Sequence, residues 1–242
     1  MKAILTWHSI DDSGSPISVS RSVFADQVRF LASGRVRVVP LASILSAEGD
    51  AVALTFDDAF ANFSDGAWPA LRDVGLPATV FVVTDRVGDR NRWSGHPEPG
   101  IPDLPLADWE ALGRLAAEGV EIGCHSRRHP RLNAIGDEAL EDETRGGRDV
   151  LRQRLGVTAS SYCYPYGAVG RRERDAVARH FERAVTTEHR LMAEVEDALL
   201  MPRLDLYYFN QRGALDGFGA PGFAARVQVR SALRRVRRLA FG

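Results

Sequence analysis

Cysteine is scarce: the 242 residues contain only Cys124 and Cys163. A disulfide framework is therefore excluded, and both read as reduced, small core residues. A charge excess is missing too, since the formal net charge is −1. That argues against a dedicated nucleic-acid binder, which is basic throughout. Long apolar runs are also absent. The longest, such as residues 78–83, are strand-sized and far below the roughly 18 residues of a membrane span. The opening Lys2-Ala3-Ile4-Leu5-Thr6-Trp7-His8 is too short for a signal-peptide core and has no small-residue cleavage site. The expectation is a chain retained in the cytoplasm.

Apolar, β-favouring runs alternate with helical patterns. A hydrophobic share of 45% and a charged share of 26% suit an ordinary soluble globular chain. Strands are expected at 2–7, 36–39, 51–56, 78–83, 120–124, 161–164, 183–186 and 199–204. Helices are expected at 21–33, 65–74, 106–118, 138–155 and 171–182, with Ser20 as an N-cap and Gly34 and Gly119 at C′ positions. A βαβα order predicts a parallel sheet covered by helices. Seven or eight such units predict one closed α/β barrel over residues 1–222. Segment 85–105, rich in Gly, Pro, Asp and Arg, reads as a lid or binding loop and carries Trp93 and His96.

Residues 223–242 differ. They carry Arg226, Arg230, Arg234, Arg235, Arg237 and Arg238 and no acidic residue. Val229, Leu233, Val236 and Ala240 follow helical spacing, giving one apolar stripe and a basic opposite face. The expectation is a last helix docked on the barrel with its arginines in solvent. The sharper alternative is a peripheral contact with an anionic surface at the inner membrane face.

The chemistry gathers at strand ends. Residues 51–56 run straight into Asp57-Asp58, and buried carboxylates must be paired, protonated or metal-bound. Residues 120–124 end in His125, with His129 four further on. One acid and two imidazoles make a metal-ligand set, and the other acid is left free to act as a base. Three protein ligands leave a coordination position for water, as a catalytic site needs. Zinc is the first expectation; cobalt, nickel or ferrous iron also suit such ligands. Pro130 pushes His129 out of the α region, so the pair sits in a turn and not on a zinc-protease helix. A solvated Asp-Asp turn and ordinary core or surface histidines are the alternatives. The aspartates of a haloacid-dehalogenase phosphatase stand two apart, which these do not. His8, Tyr164-Pro165-Tyr166-Gly167, Arg203 and Asp205 lie near other strand ends, so all converge on one edge of the barrel.

Thr55-Phe56-Asp57-Asp58-Ala59, His125-Ser126-Arg127-Arg128-His129-Pro130 and Tyr164-Pro165-Tyr166-Gly167 resemble, in order and spacing, three motifs of the polysaccharide deacetylases (NodB homology, carbohydrate esterase family four). The resemblance extends over most of residues 1–205 and implies a distorted (β/α) barrel of seven or eight strands. It implies Asp57 as catalytic base, Asp58, His125 and His129 as metal ligands, and the Tyr166 backbone N–H as an oxyanion donor. Two positions depart from the pattern. Ala59 stands where Gly is common, and Cys163 stands where an Arg orients the catalytic Asp. Arg203 is the candidate to replace that Arg from another strand end and hold Asp57 ionised. An ordinary structural salt bridge is the alternative. The family's late Leu-x-His motif is missing, since no histidine follows His189. Leu5-Thr6-Trp7-His8-Ser9-Ile10 resembles instead the N-terminal segment of a circularly permuted branch that includes poly-N-acetylglucosamine deacetylases. His8 therefore takes the role of catalytic acid, ahead of His96, His180 and His189.

The implied reaction removes an N-acetyl group from an acetylated amino sugar, polysaccharide or glycan precursor. Trp7, Trp93, Tyr164 and Tyr166 are the candidates to stack on sugar rings, with ordinary packing as the alternative. For a retained chain, a lipid-linked or nucleotide-linked precursor is the expected kind of substrate. Deformylation, O-deacetylation or cyclic-amide hydrolysis at the same site are alternatives. So is a non-catalytic carbohydrate-binding barrel, which Cys163 favours.

Overall fold

Parallel strands and helices alternate along nearly the whole chain. The structure, a computed structural model, describes residues 1–241, with side chains through Arg234. Strand β1 (Lys2–Trp7) is followed by a small pair, β2 (Ser9–Ile10) and β3 (Ser18–Val19), and by helix α1 (Arg21–Ala32). Next come β4 (Arg37–Val38), β5 (Ala51–Phe56), α2 (Trp68–Arg72), β6 (Thr79–Val82), α3 (Trp109–Ala117) and β7 (Glu121–Cys124). A π-helical turn, Asp142–Gly146, joins α4 (Asp137–Glu141) to α5 (Gly147–Leu155). Then follow β8 (Ser161–Cys163), α6 (Arg171–Ala178), β9 (Arg183–Val185), β10 (Leu204–Asp205) and α7 (Pro221–Phe241).

The main sheet runs β10-β1-β5-β6-β7-β8-β9, with every neighbouring pair parallel. One edge of β5 is shared: β4 pairs with Ala51 and Val52, and β6 with Thr55 and Phe56. That sharing is one distortion of the barrel; the seam is the other. There the Ala184 N–H donates to Ala198 O (2.7 Å), and Met201 bridges to Val185. Leu204 and Asp205 then pair with Leu5 and Thr6 of β1. Pro202 has no N–H to give, so the strand expected at 199–204 shrinks to two residues. The expected (β/α) barrel is the fold.

Successive strand residues point to opposite faces. Ala3, Leu5, Trp7, Val52, Leu54, Phe56, Tyr162 and Tyr164 pack outward under the helices. Ile4, Ala51, Ala53, Phe81, Cys163, Val185 and Met201 fill the barrel interior. Gly123 lets the Phe81 ring cross that interior, since a Cβ there would stand 2.5 Å from it. Helix α3 starts later than residue 106: Asp108 caps it by accepting from Ala111 N–H at 2.8 Å. The preceding residues are held in place by the loop, with Leu106 N–H on Asp89 O and Ala107 N–H on Ala59 O.

Helix α7 docks, but by a face other than the stripe read from its sequence. Phe223 and Val227 are buried, whereas Val229 and Leu233 are 62% and 64% exposed. Arginine stacking supplies the rest of the contact: Arg230 and Arg234 lie over the Tyr208 ring, each at 4.9 Å. The side chains of Val236 and Ala240 lie outside the described residues.

Candidate active site

Alternation decides which strand-end groups can meet. Ala51 and Ala53 point inward, and Asp57 follows in the same phase. Arg203 reaches it from the seam, with Nη1 donating to Oδ1 at 2.6 Å and Nη2 to Oδ2 at 2.7 Å. The guanidinium is itself fixed by Thr186 O (2.9 Å, from Nε) and Thr6 Oγ1 (2.9 Å, from Nη1). Both partners are buried. Burial alone would raise the Asp57 carboxyl, but the charge and hydrogen bonds of Arg203 outweigh it. They hold the group well below the usual carboxylate range. Cys163 Sγ lies 3.2 Å from Arg203 Nη2 and 3.6 Å from Asp57 Oδ2, and burial keeps it a thiol.

Asp58 faces the histidines. Its Oδ1 lies 3.4 Å from His125 Nε2 and 3.6 Å from His129 Nε2. That oxygen is buried and has no hydrogen-bond partner among the described residues. His125 Nδ1 meets Cys163 O at 2.8 Å, which places the ring proton on Nδ1 and turns the Nε2 lone pair toward Asp58. Burial raises the Asp58 carboxyl above its ordinary range. Burial and the neighbouring His125 push His129 well below its own. A divalent cation held there would offset both costs. One carboxylate oxygen and two imidazole nitrogens around an orphaned buried oxygen fit zinc or a similar ion. Asp57, His125 and Cys163 also lie close together. There, however, the carboxylate is taken by Arg203 and the sulfur is protonated, which makes it the poorer donor set.

The histidine loop is braced from behind. Glu143, on the π-helical turn, accepts from the backbone N–H groups of Arg127 (2.8 Å) and Arg128 (2.9 Å) and from Arg128 Nε (2.8 Å). Asp142 receives Arg127 and Arg128, both at 2.6 Å. Within the loop, the Ser126 hydroxyl accepts from His129 N–H at 2.9 Å. The backbone is strained here. Among the described residues, the five non-glycine positions with positive φ are Asp58, Ala59, Ser126, His129 and Tyr166. Left-handed backbone costs such residues about 1–2 kcal/mol each, and strain of this kind gathers at functional sites. At Ala59, with φ 56°, it also explains why glycine suits that position.

A cleft of about 470 Å³ opens beside His129. The Trp93 ring stacks on His129 at 4.5 Å, and the exposed Tyr166 ring meets it edge-on at 4.6 Å. The Arg131 guanidinium covers Tyr166 at 4.7 Å. His8 Nε2 stands 3.7 Å from Asp57 Oδ2, with its side chain 25% exposed. Asp205 lies near enough to His8 for their charges to interact. The rival histidines are elsewhere: His180 pairs with Glu141 at 2.8 Å, His96 is exposed, and His189 is buried against Tyr208 and Phe209.

Two expected sugar-stacking residues are corrected. Trp7 is 1% exposed, stacked on Phe56 at 5.0 Å, and donates to Gln27 Oε1. Tyr164 is 0% exposed and packs against Tyr162 at 5.4 Å. Both point outward under the helices, on the face opposite Asp57. Two residues of the site, Glu143 and Arg131, go unmarked by the sequence reading. Glu143 sits in a helical stretch of mixed charge, where nothing distinguishes one acid as buried. Arg131 follows Pro130 directly, and that adjacency to a ligand loop is the available signal.

The profile described as polysaccharide deacetylase matches residues 45–184. YxkH of Bacillus subtilis (strain 168), a polysaccharide deacetylase-type protein, is 23% identical over 193 residues, which is 76% of this chain and 64% of that one. A gellan lyase from Bacillus sp is 32% identical over 120 residues, 49% of this chain and only 4% of its own. The chain thus spans less than two thirds of these relatives. Among solved structures, the Streptococcus pyogenes deacetylase PplD in complex with acetate superposes with a TM-score of 0.75 at 20% identity, covering 90% of this chain and 98% of that one. IcaB from Ammonifex degensii gives 0.71 at 22% identity, with 84% and 90% covered. These two likenesses concern the fold. With the profile matching more than half of its length, this chain belongs to the polysaccharide deacetylase family.

Proposed function

We propose that this chain is a metal-dependent hydrolase that removes N-acetyl groups from an acetylated amino sugar or glycan. One observation carries the reading. A buried, unpartnered Asp58 oxygen lies within 3.6 Å of two imidazole nitrogens, beside a second carboxylate held ionised by Arg203. A divalent ion held by Asp58, His125 and His129 supplies Lewis acidity toward an amide carbonyl and makes water more acidic.

The chain's own residues do the rest. Asp57 is ionised at neutral pH and accepts the proton of the attacking water. Arg203 makes it a weak base, so it needs water that is already acidified. The Tyr166 backbone N–H donates to the developing oxyanion, a contribution of roughly 3–4 kcal/mol per donor in measured cases. His8 protonates the departing amine, worth roughly 10²–10⁴ in rate. Trp93 and Tyr166 flank His129 and offer flat apolar faces to a sugar ring. Acetate and a free amino sugar are the products. The Asp57–Arg203 pair favours turnover over a barrel that only binds carbohydrate, because simple binding needs no poised base.

Acetate release from N-acetylglucosamine oligomers, with zinc supplied, tests the reading. Asp57→Asn and His8→Ala should each lower kcat by at least about a hundredfold. Unchanged turnover in either variant strips the altered residue of its proton-transfer role. Formate release from N-formyl analogues but no acetate would move the assignment to deformylation.

A further inference from the structure

We infer that the outer face of α7 is a docking surface for an anionic lipid bilayer. Val229 and Leu233, one turn apart, are among the few large apolar side chains left exposed. They border a groove of about 600 Å³ between α7 and the segment after β10, flanked by Arg212, Arg226 and Arg230. No acidic residue follows Asp216, and six arginines do, from Arg226 to Arg238. Two nearby acids are already paired, Asp26 with Arg29 and Arg212, and Asp216 with Arg35. An apolar stripe bordered by arginine is the pattern that settles into the interface of acidic headgroups and acyl chains. No described helix is long and apolar enough to cross a membrane, so the contact is with the surface.

Bilayer rather than nucleic acid is the occupant the residues favour. Phosphodiester strands would use the arginines and leave Val229 and Leu233 in water, whereas a bilayer takes both kinds of group. The docked side of α7 is already committed, with Phe223 and Val227 buried. Only the outer face is on offer. On its inner side the helix also meets the segment behind Tyr166: Arg234 donates to Thr187 O at 3.5 Å, and Thr187 packs directly on Gly167.

Co-sedimentation of the full chain with phosphatidylcholine vesicles, and with vesicles containing phosphatidylglycerol, tests the inference without any substrate. The wild type should pellet with the anionic vesicles only, and high salt should release it. Each arginine near the surface contributes about fivefold to partitioning. Val229→Glu with Leu233→Glu should weaken binding at least about tenfold. The thermal midpoint and acetate release from soluble oligomers should stay as in wild type, because both side chains are exposed. Equal pelleting with both vesicle types, pelleting with neither, or an unaffected double variant overturns the inference. So does a dimer that the double variant abolishes with no vesicle binding, which would assign the face to a second copy. None of these outcomes touches the hydrolase reading.

Discussion

Arg203 and Asp57 are sealed from water, so neither can lose the other cheaply. Arg203→Ala leaves a bare buried carboxylate and should lower unfolding stability by about 3–5 kcal/mol in a urea titration. Cys163 touches both groups, which makes position 163 the natural place to return the charge. Arg203→Ala with Cys163→Arg should recover part of that stability. Cys163→Arg alone sets two cations side by side and should lose stability. Glu143 permits a second residue test. With two backbone N–H groups depending on it, Glu143→Ala should weaken zinc affinity about 10–100-fold in a chelator competition, and Glu143→Gln by less. Failure of both to shift affinity would mean that the histidine loop holds its own shape.

The strands are the readable elements. Their apolar runs, turn glycines and order set out a parallel barrel, and the carboxylates and histidines at their ends fall where expected. The same period-two rule sends Trp7 and Tyr164 outward, since each is out of phase with the inward carboxylate. An expectation built on aromatic identity passes over that phase. The seam is harder to see, because Pro202 interrupts the strand expected at 199–204 and leaves Arg203 just outside β10. Helix α7 misleads for another reason: Tyr208 lets arginines serve as docking residues, which frees the aliphatic ones. The π-helical turn leaves no periodic mark, yet glycines on either side of its end show its tightness. A Cβ at Gly147 would stand 2.8 Å from Cys124 Sγ and 3.4 Å from the Ser126 carbonyl carbon. Gly147→Ala should therefore cost about 1–3 kcal/mol of stability, read from thermal unfolding, and weaken zinc binding with it.

For the molecule as a whole, His189 is one of the buried groups that set acid tolerance. Burial, with Arg234 and Arg230 nearby, lowers its pKa to about 3. The unfolded chain takes up that proton near 6.5, before the folded one does. The contribution is thus complete above about pH 6.5 and declines as pH falls toward 3, by up to about 1.4 kcal/mol per unit. His189→Leu should flatten that decline between pH 6.5 and 4; identical slopes for variant and wild type would rule the histidine out. Asp57 has a depressed value, so its contribution holds above about 4 and is lost only in stronger acid.

The partners of the buried ion pair stand 146 residues apart in sequence, one just after β5 and one just before β10. The final strap therefore does two jobs, fastening the sheet at β1 and keeping the buried Asp57 carboxyl ionised. Without Arg203, Asp57 loses the charge and hydrogen bonds that hold its carboxyl low against burial. As the proposed base, Asp57 thus depends for its ionisation on a residue supplied from the far end of the sheet.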